Sequence, residues 1–86
     1  MLEQEIDLVF QKLQRKGTDP DVACAAVKQL IRGHFAAADA EKFDVFTEIL
    51  FRRYNGFNTT IIANELKVRI RQIRTSSLQV EQWLNA

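Results

Sequence analysis

Apolar residues recur every three or four positions through most of the chain. No run of alternating β-branched residues is long enough for a sheet strand, so the pattern predicts an all-α domain. Over residues 2–16, Leu2, Ile6, Val9, Phe10 and Leu13 share one helical face, Arg15 and Lys16 suit the negative C-terminal end, and Gly17 ends the helix. Thr18-Asp19-Pro20-Asp21 is a start signal: Asp19 caps, Pro20 takes the first helical position and Asp21 sits near the positive end. The second helix runs to about Gly33, with Val22, Ala23, Ala26, Val27, Leu30 and Ile31 inward. Ala36-Ala37-Ala38 reads as a connection, after which Asp39 caps a third helix reaching about Tyr54. Phe43, Val45, Phe46, Ile49, Leu50, Phe51 and Tyr54 cover more than half of its circumference, which makes it the expected central strut.

Asn55-Gly56 then offers a backbone that tolerates positive φ, and Asn58 caps a fourth helix with Thr59 and Thr60 in its opening turn. Ala63, taken as the small residue where two short helices cross, places Ile62, Leu66, Val68 and Ile73 at inward positions. Lys67 falls at the turn between those helices, and the fifth helix opens at Arg69. The expected architecture is therefore a compact five-helix single domain over residues 1–86. Residues 1–54 supply the core and a dimerisation surface, and residues 55–86 form a C-terminal helix-turn-helix.

Length and composition narrow the function. A chain of 86 residues makes one small core, burying about 60–65% of its unfolded surface. With 47% hydrophobic and 27% charged residues it is ordinary globular material. No apolar run nears the roughly 18 residues of a spanning helix, and the acidic opening Met1-Leu2-Glu3-Gln4-Glu5 is the opposite of a basic secretion leader. No membrane partner and a cytoplasmic location are expected. Cys24 is the single cysteine and reads as a small core residue, and His34 sits at a helix end. With no motif joining them, no Gly-rich phosphate loop and no metal-ligand spacing, we expect no catalytic, cofactor-binding or metal-binding residues and no small-molecule substrate, so the chain does not read as an enzyme.

Charge changes the picture. The net charge is only +1, yet residues 1–51 hold six bases against nine acids, and residues 52–74 hold six bases against Glu65 alone. Positive charge concentrated on a helical hairpin attracts a polyanion. Arg69, Arg71, Gln72, Arg74 and Thr75 are the candidate base readers, since Arg pairs bidentately with guanine, Gln with adenine, and Thr touches a thymine methyl. Arg52, Arg53 and Lys67 are candidate phosphate contacts, as are Asn58, Thr59 and Thr60 at a helix start. Leu78 falls on the outer face, where it neither reads bases nor packs. With Trp83 it joins Leu2, Ile6, Val9, Phe10 and Leu13 as a candidate dimer contact.

Residues 50–84 resemble the helix-turn-helix of region four of bacterial sigma factors. Tyr54, Asn55 and Gly56 precede the first helix, Ala63 follows seven residues later, and Leu66, Val68 and Ile73 come next. Lys67 stands at the turn position those families give to Gly. The phrase Tyr-Asn-Gly-Phe-Asn is also similar to the lead-in to the motif in phage middle-operon activators of the Mor type. The resemblance implies a homodimer whose N-terminal helices pair and whose helix-turn-helix docks on promoter DNA. Such a chain is a sequence-specific double-stranded DNA-binding regulator, with RNA polymerase as a further candidate partner. The alternative is a protein-interaction module of helix-turn-helix-like fold that binds a polymerase subunit or another regulator.

Overall fold

The computed structural model of the protein describes the backbone of residues 1–76 and the side chains of residues 1–72. These residues are all-α, with no strand among them: α1 (Leu2–Lys16), α2 (Pro20–Arg32), α3 (Ala37–Arg53) and α4 (Thr59–Ser76). Connections of three to five residues make successive helices neighbours. α1 packs on α2 and α4, α2 packs chiefly on α3, and α3 meets α4 less extensively than any of these.

The helix ends follow local chemistry. α1 stops where Gly17 turns left-handed at φ 60°; its N–H donates to the Gln14 carbonyl and that of Thr18 to the Leu13 carbonyl. This is the paired closure that satisfies the last orphan carbonyls. α3 ends in the same way with Asn55 in the glycine-like position at φ 55°. There the Asn55 N–H donates to Arg52 and the Gly56 N–H to Phe51, the latter at 2.8 Å. Asp19 caps α2 through a 2.8 Å bond from the Asp21 N–H to its Oδ1, with Pro20 opening the helix. Asn58 caps α4 by accepting from the Ile61 N–H. One start differs from expectation. α3 begins at Ala37, with Ala36 before it and no side-chain cap, so the alanines join the helix and Asp39 lies inside its first turn. Alanine has the highest helix propensity, and an acid within the first turn still favours the positive end.

Leu2, Ile6 and Phe10 of α1, Ala23, Val27 and Ile31 of α2, Phe43, Leu50 and Phe51 of α3, and Ile62, Ala63, Leu66 and Ile70 of α4 form one core cluster. Val9, Leu13, Leu30, Phe35, Phe46 and Tyr54 pack against it from partly buried positions. Each fully buried aliphatic or aromatic side chain contributes about 1.5–3 kcal/mol relative to exposure, so this cluster dominates the stability. The ring of Phe10 stacks on that of Phe51 at 6.2 Å between centroids, joining α1 to α3 across the middle.

Four expectations are corrected here. On α2, Val22 is 58% exposed, and the buried stripe is Ala23, Val27 and Ile31. Leu2, Ile6 and Phe10 are buried within the chain itself, so that part of the α1 stripe does not face a second copy. On α3 the buried stripe is Ala40, Phe43, Asp44, Thr47, Leu50 and Phe51, while Val45 and Ile49 are exposed. Thr47 fits the core because its hydroxyl donates to the Phe43 carbonyl at 2.8 Å, and Asp44 because Arg32 holds its carboxylate. Most consequential, residues 59–76 are one helix, without a turn at Lys67 and without a separate helix opening at Arg69. Between Asn58 and Ser76 there is no Gly or Pro to force a break. A continuous phase then buries Ile62, Leu66 and Ile70 and turns Val68 outward at 47% exposure.

Candidate functional site

The continuity of α4 redistributes the residues marked by the sequence. Lys67 points back to α1, where its Nζ donates to Asp7 Oδ1 at 2.7 Å and the side chain is mostly covered. It is a bolt between α1 and α4, not a cation held out to a phosphate. Asn58 uses its side-chain oxygen on the helix start. Thr59 and Thr60 line a shallow depression between α1 and α4 with Asp7, Phe10, Gln11, Gln14, Ala63 and Asn64. Arg52 lies beside Cys24, Lys28 and Glu48 over the α2–α3 seam.

Arg53, Arg69 and Gln72 do come together. They line a groove of about 430 Å³ between α3 and α4, shared with Phe46, Asn64, Glu65 and Val68. The Arg69 guanidinium stacks over the Phe46 ring, its carbon 5.8 Å from the centroid, and Nη1 donates to Gln72 Oε1 at 3.3 Å. A planar cation over an aromatic face is a favourable arrangement that also restricts its motion. Glu65 accepts from the Tyr54 hydroxyl at 3.0 Å, tying α4 to the end of α3. Arg71 is exposed. A step of about 200° from Arg69 places it toward the far side of α4. Arg74 and Thr75 lie on α4, but their side chains are outside the described residues, as is that of Ile73; Leu78 and Trp83 lie outside them altogether.

The groove continues into exposed apolar surface. Ile49 sits one turn from both Phe46 and Arg53 on α3, and Ile61 lies two turns before Val68 on α4. Val45, Ile49, Ile61 and Val68 are all exposed, and Phe57 in the intervening turn is 83% exposed. By contrast, the exposed Leu8 of α1 has Gln4, Glu5, Gln11 and Lys12 as its helical neighbours. The hydrophobic count of α3 carried this signal in the sequence, since apolar residues around more than half of a helix cannot all face one core. Nothing in the sequence marked Glu65 or Asn64 as neighbours of Arg53.

Elsewhere, Cys24 is half-buried, and burial pushes its thiol above the ordinary value, which disfavours the reactive thiolate. Among the described residues no three His, Cys, Asp or Glu side chains gather into a group that could hold a metal, and no helix is long and apolar enough to cross a membrane. No protein-family model matches the chain, and neither does any curated protein or solved structure.

Proposed function

We propose that the protein is an interaction domain that binds a partner protein through its α3–α4 face. The observation that carries this reading is the distribution of apolar surface. The α1 stripe is largely taken up by the chain's own core, whereas Val45 and Ile49 of α3 and Ile61 and Val68 of α4 are exposed, and Val68 lines the groove between the two helices. Exposed apolar residues that adjoin one another, rimmed by charge, are the mark of a binding surface. A polymerase subunit or another regulator is the partner class that the resemblance to sigma-factor region four suggests. The test is a photo-crosslinking amino acid placed at Val68, with the same group at Gln11 on α1 as control, in cells that make the protein. A discrete protein adduct at position 68 and none at position 11 is expected. Adducts to nucleic acid at position 68 would replace this reading.

A second reading has its own observation. Arg53, Arg69 and Gln72 share one groove, and Arg71 is exposed two residues beyond Arg69 on α4. In that reading the chain is the sequence-specific DNA-binding regulator implied by the Mor-type resemblance, acting as a cytoplasmic homodimer, with α4 entering the major groove as an unbroken helix. Duplex affinity would then fall log-linearly with salt, with a slope smaller by about one for each Arg→Ala change that removes a phosphate contact. Absence of binding to random duplex at low salt removes it.

A further inference from the structure

We infer that residues 77–86 fold back over the α3–α4 face and compete there with the partner. This rests on the protein-interaction reading above and adds its regulation. The four helices leave Val45 and Ile49 of α3 and Val68 of α4 exposed. Val68 lines the groove, and Ile49 lies one turn from two of the groove's α3 residues, Phe46 and Arg53.

The direction of α4 delivers the next residues to this face. Tyr54, just past the end of α3, bonds Glu65, whereas Phe46, two turns earlier, lies under Arg69, one turn later, so the two helices run antiparallel. α4 therefore travels back toward the N-terminal half of α3 and reaches Ser76 one turn beyond Gln72 of the groove. From Ser76 the return to Val68 is about 12 Å along the helix. Residues 77–86 span about 15 Å if helical and about 33 Å if extended, so either form is long enough to lie over Val68.

Composition supplies the reason to lie there. Leu78, Val80, Trp83 and Leu84 put large apolar side chains into a segment whose only charged side chain is Glu81. Segments that stay in solvent are poor in aromatics and rich in charge, because they have too little apolar area to offset the entropy of ordering. This one has the opposite make-up, and the indole of Trp83 alone can remove roughly 150–250 Å² from water against an apolar surface. Val45, Ile49 and Val68 offer such a surface within reach. A tethered occupant acts at a high effective concentration, so a partner binds only in proportion to the fraction of chains whose segment has left the face.

Trp83 is the only tryptophan, so its fluorescence reports this segment without a label. The test measures acrylamide quenching of Trp83 in the full wild-type chain, in Ile49→Asp and Val68→Asp chains, and in a Leu8→Asp chain as control. All three positions are exposed, so the core is kept; circular dichroism and cooperative unfolding verify each fold, and sedimentation gives the oligomeric state. The expected result is a wild-type quenching constant well below that of the urea-unfolded chain, which rises toward the unfolded value on Ile49→Asp and on Val68→Asp but not on Leu8→Asp. With the photo-crosslinking group at Val68, the further change Trp83→Asp/Leu84→Asp should raise the yield of partner adduct roughly threefold or more. A wild-type Trp83 as open to acrylamide as in urea, or one still shielded in the Ile49→Asp and Val68→Asp chains, would overturn this inference and leave the interaction reading standing. Shielding that disappears on dilution together with a dimer in sedimentation would assign the face to a second copy and overturn the inference. Quenching as expected with an unchanged adduct yield would overturn the competition. Quenching as expected with no adduct from either chain would end the interaction reading, and the competition with it, and keep the fold-back.

Discussion

Gly56 lies against Pro20 so closely that a Cβ built on it would sit 2.4 Å from the Pro20 Cβ and 2.9 Å from its Cγ. The turn that follows α3 is thereby packed onto the residue that opens α2. Gly56 also holds φ 69°, so two independent causes exclude a side chain there. Gly17, at φ 60°, has nothing within 4 Å of the same built atom. Gly17→Ala should therefore cost only the left-handed backbone, about 1–2 kcal/mol. Gly56→Ala should cost a further 1–3 kcal/mol or so for the clash. Urea midpoints of the two variants, measured side by side, check the difference; equal losses would show that the turn does not rest on Pro20.

The unbroken α4 makes a prediction of sign. In an Asp7→Asn background, which removes the ion-pair partner of Lys67, the pair Lys67→Gly and Lys67→Ala compares backbone preference alone. In a helix interior Gly is less stable than Ala by about 1 kcal/mol. At a left-handed turn of the kind a helix-turn-helix needs, Gly would be the more stable. Equilibrium unfolding of the two chains decides between one helix and two.

Asp44 and Arg32 should respond unequally to removal. Arg32 donates from Nε to Asp44 Oδ2 at 3.0 Å and also through Nη2, whereas Asp44 Oδ1 is buried with no hydrogen-bond partner among the described residues. Arg32→Met leaves the carboxylate buried without its cation, at a cost of about 1–3 kcal/mol. Asp44→Leu removes the buried charge and leaves an Arg whose side chain is largely in water, so its stability should stay within about 1 kcal/mol of wild type or rise. Thermal denaturation at neutral pH reads the asymmetry.

The Lys28–Glu48 pair between α2 and α3 ties part of the stability to pH. The hydrogen bond from Lys28 holds the Glu48 carboxyl below its ordinary value of 4.5, and the same bond raises Lys28 above 10.5. A depressed carboxyl contributes stability that is present above its unfolded value and lost as pH falls through the folded one. The advantage of wild type over Glu48→Gln should thus be constant near neutrality and shrink as pH drops below about 5. On the alkaline side it should shrink again as pH rises past the Lys28 value. Denaturant titrations at stepped pH follow both limbs, and a pH-independent difference would mean the pair is not formed in solution.

Where the sequence alone was enough, the cause was local. Gly17, the Asp19-Pro20 start, Asn55-Gly56 and the Asn58 cap depend on backbone freedom and on hydrogen bonds that span a few residues, so their chemistry is written in adjacent letters. The all-α class followed from period alone. What tertiary structure decided was the allocation of faces. Leu2, Ile6 and Phe10 were legible as a sticky stripe, but only packing shows that α2 and α4 cover it, and only packing leaves Val45, Ile49 and Val68 without cover. Whether residues 59–76 were one helix or two could not be settled by propensity, because Lys67 suits a helix interior while the apolar residues around it fit two phases. Asp7, sixty residues away from Lys67, Phe46 beneath Arg69 and Tyr54 on Glu65 hold the stretch 65–69 of α4 by its side chains and favour the continuous phase. Such contacts join residues remote in the chain, and no local spacing records them.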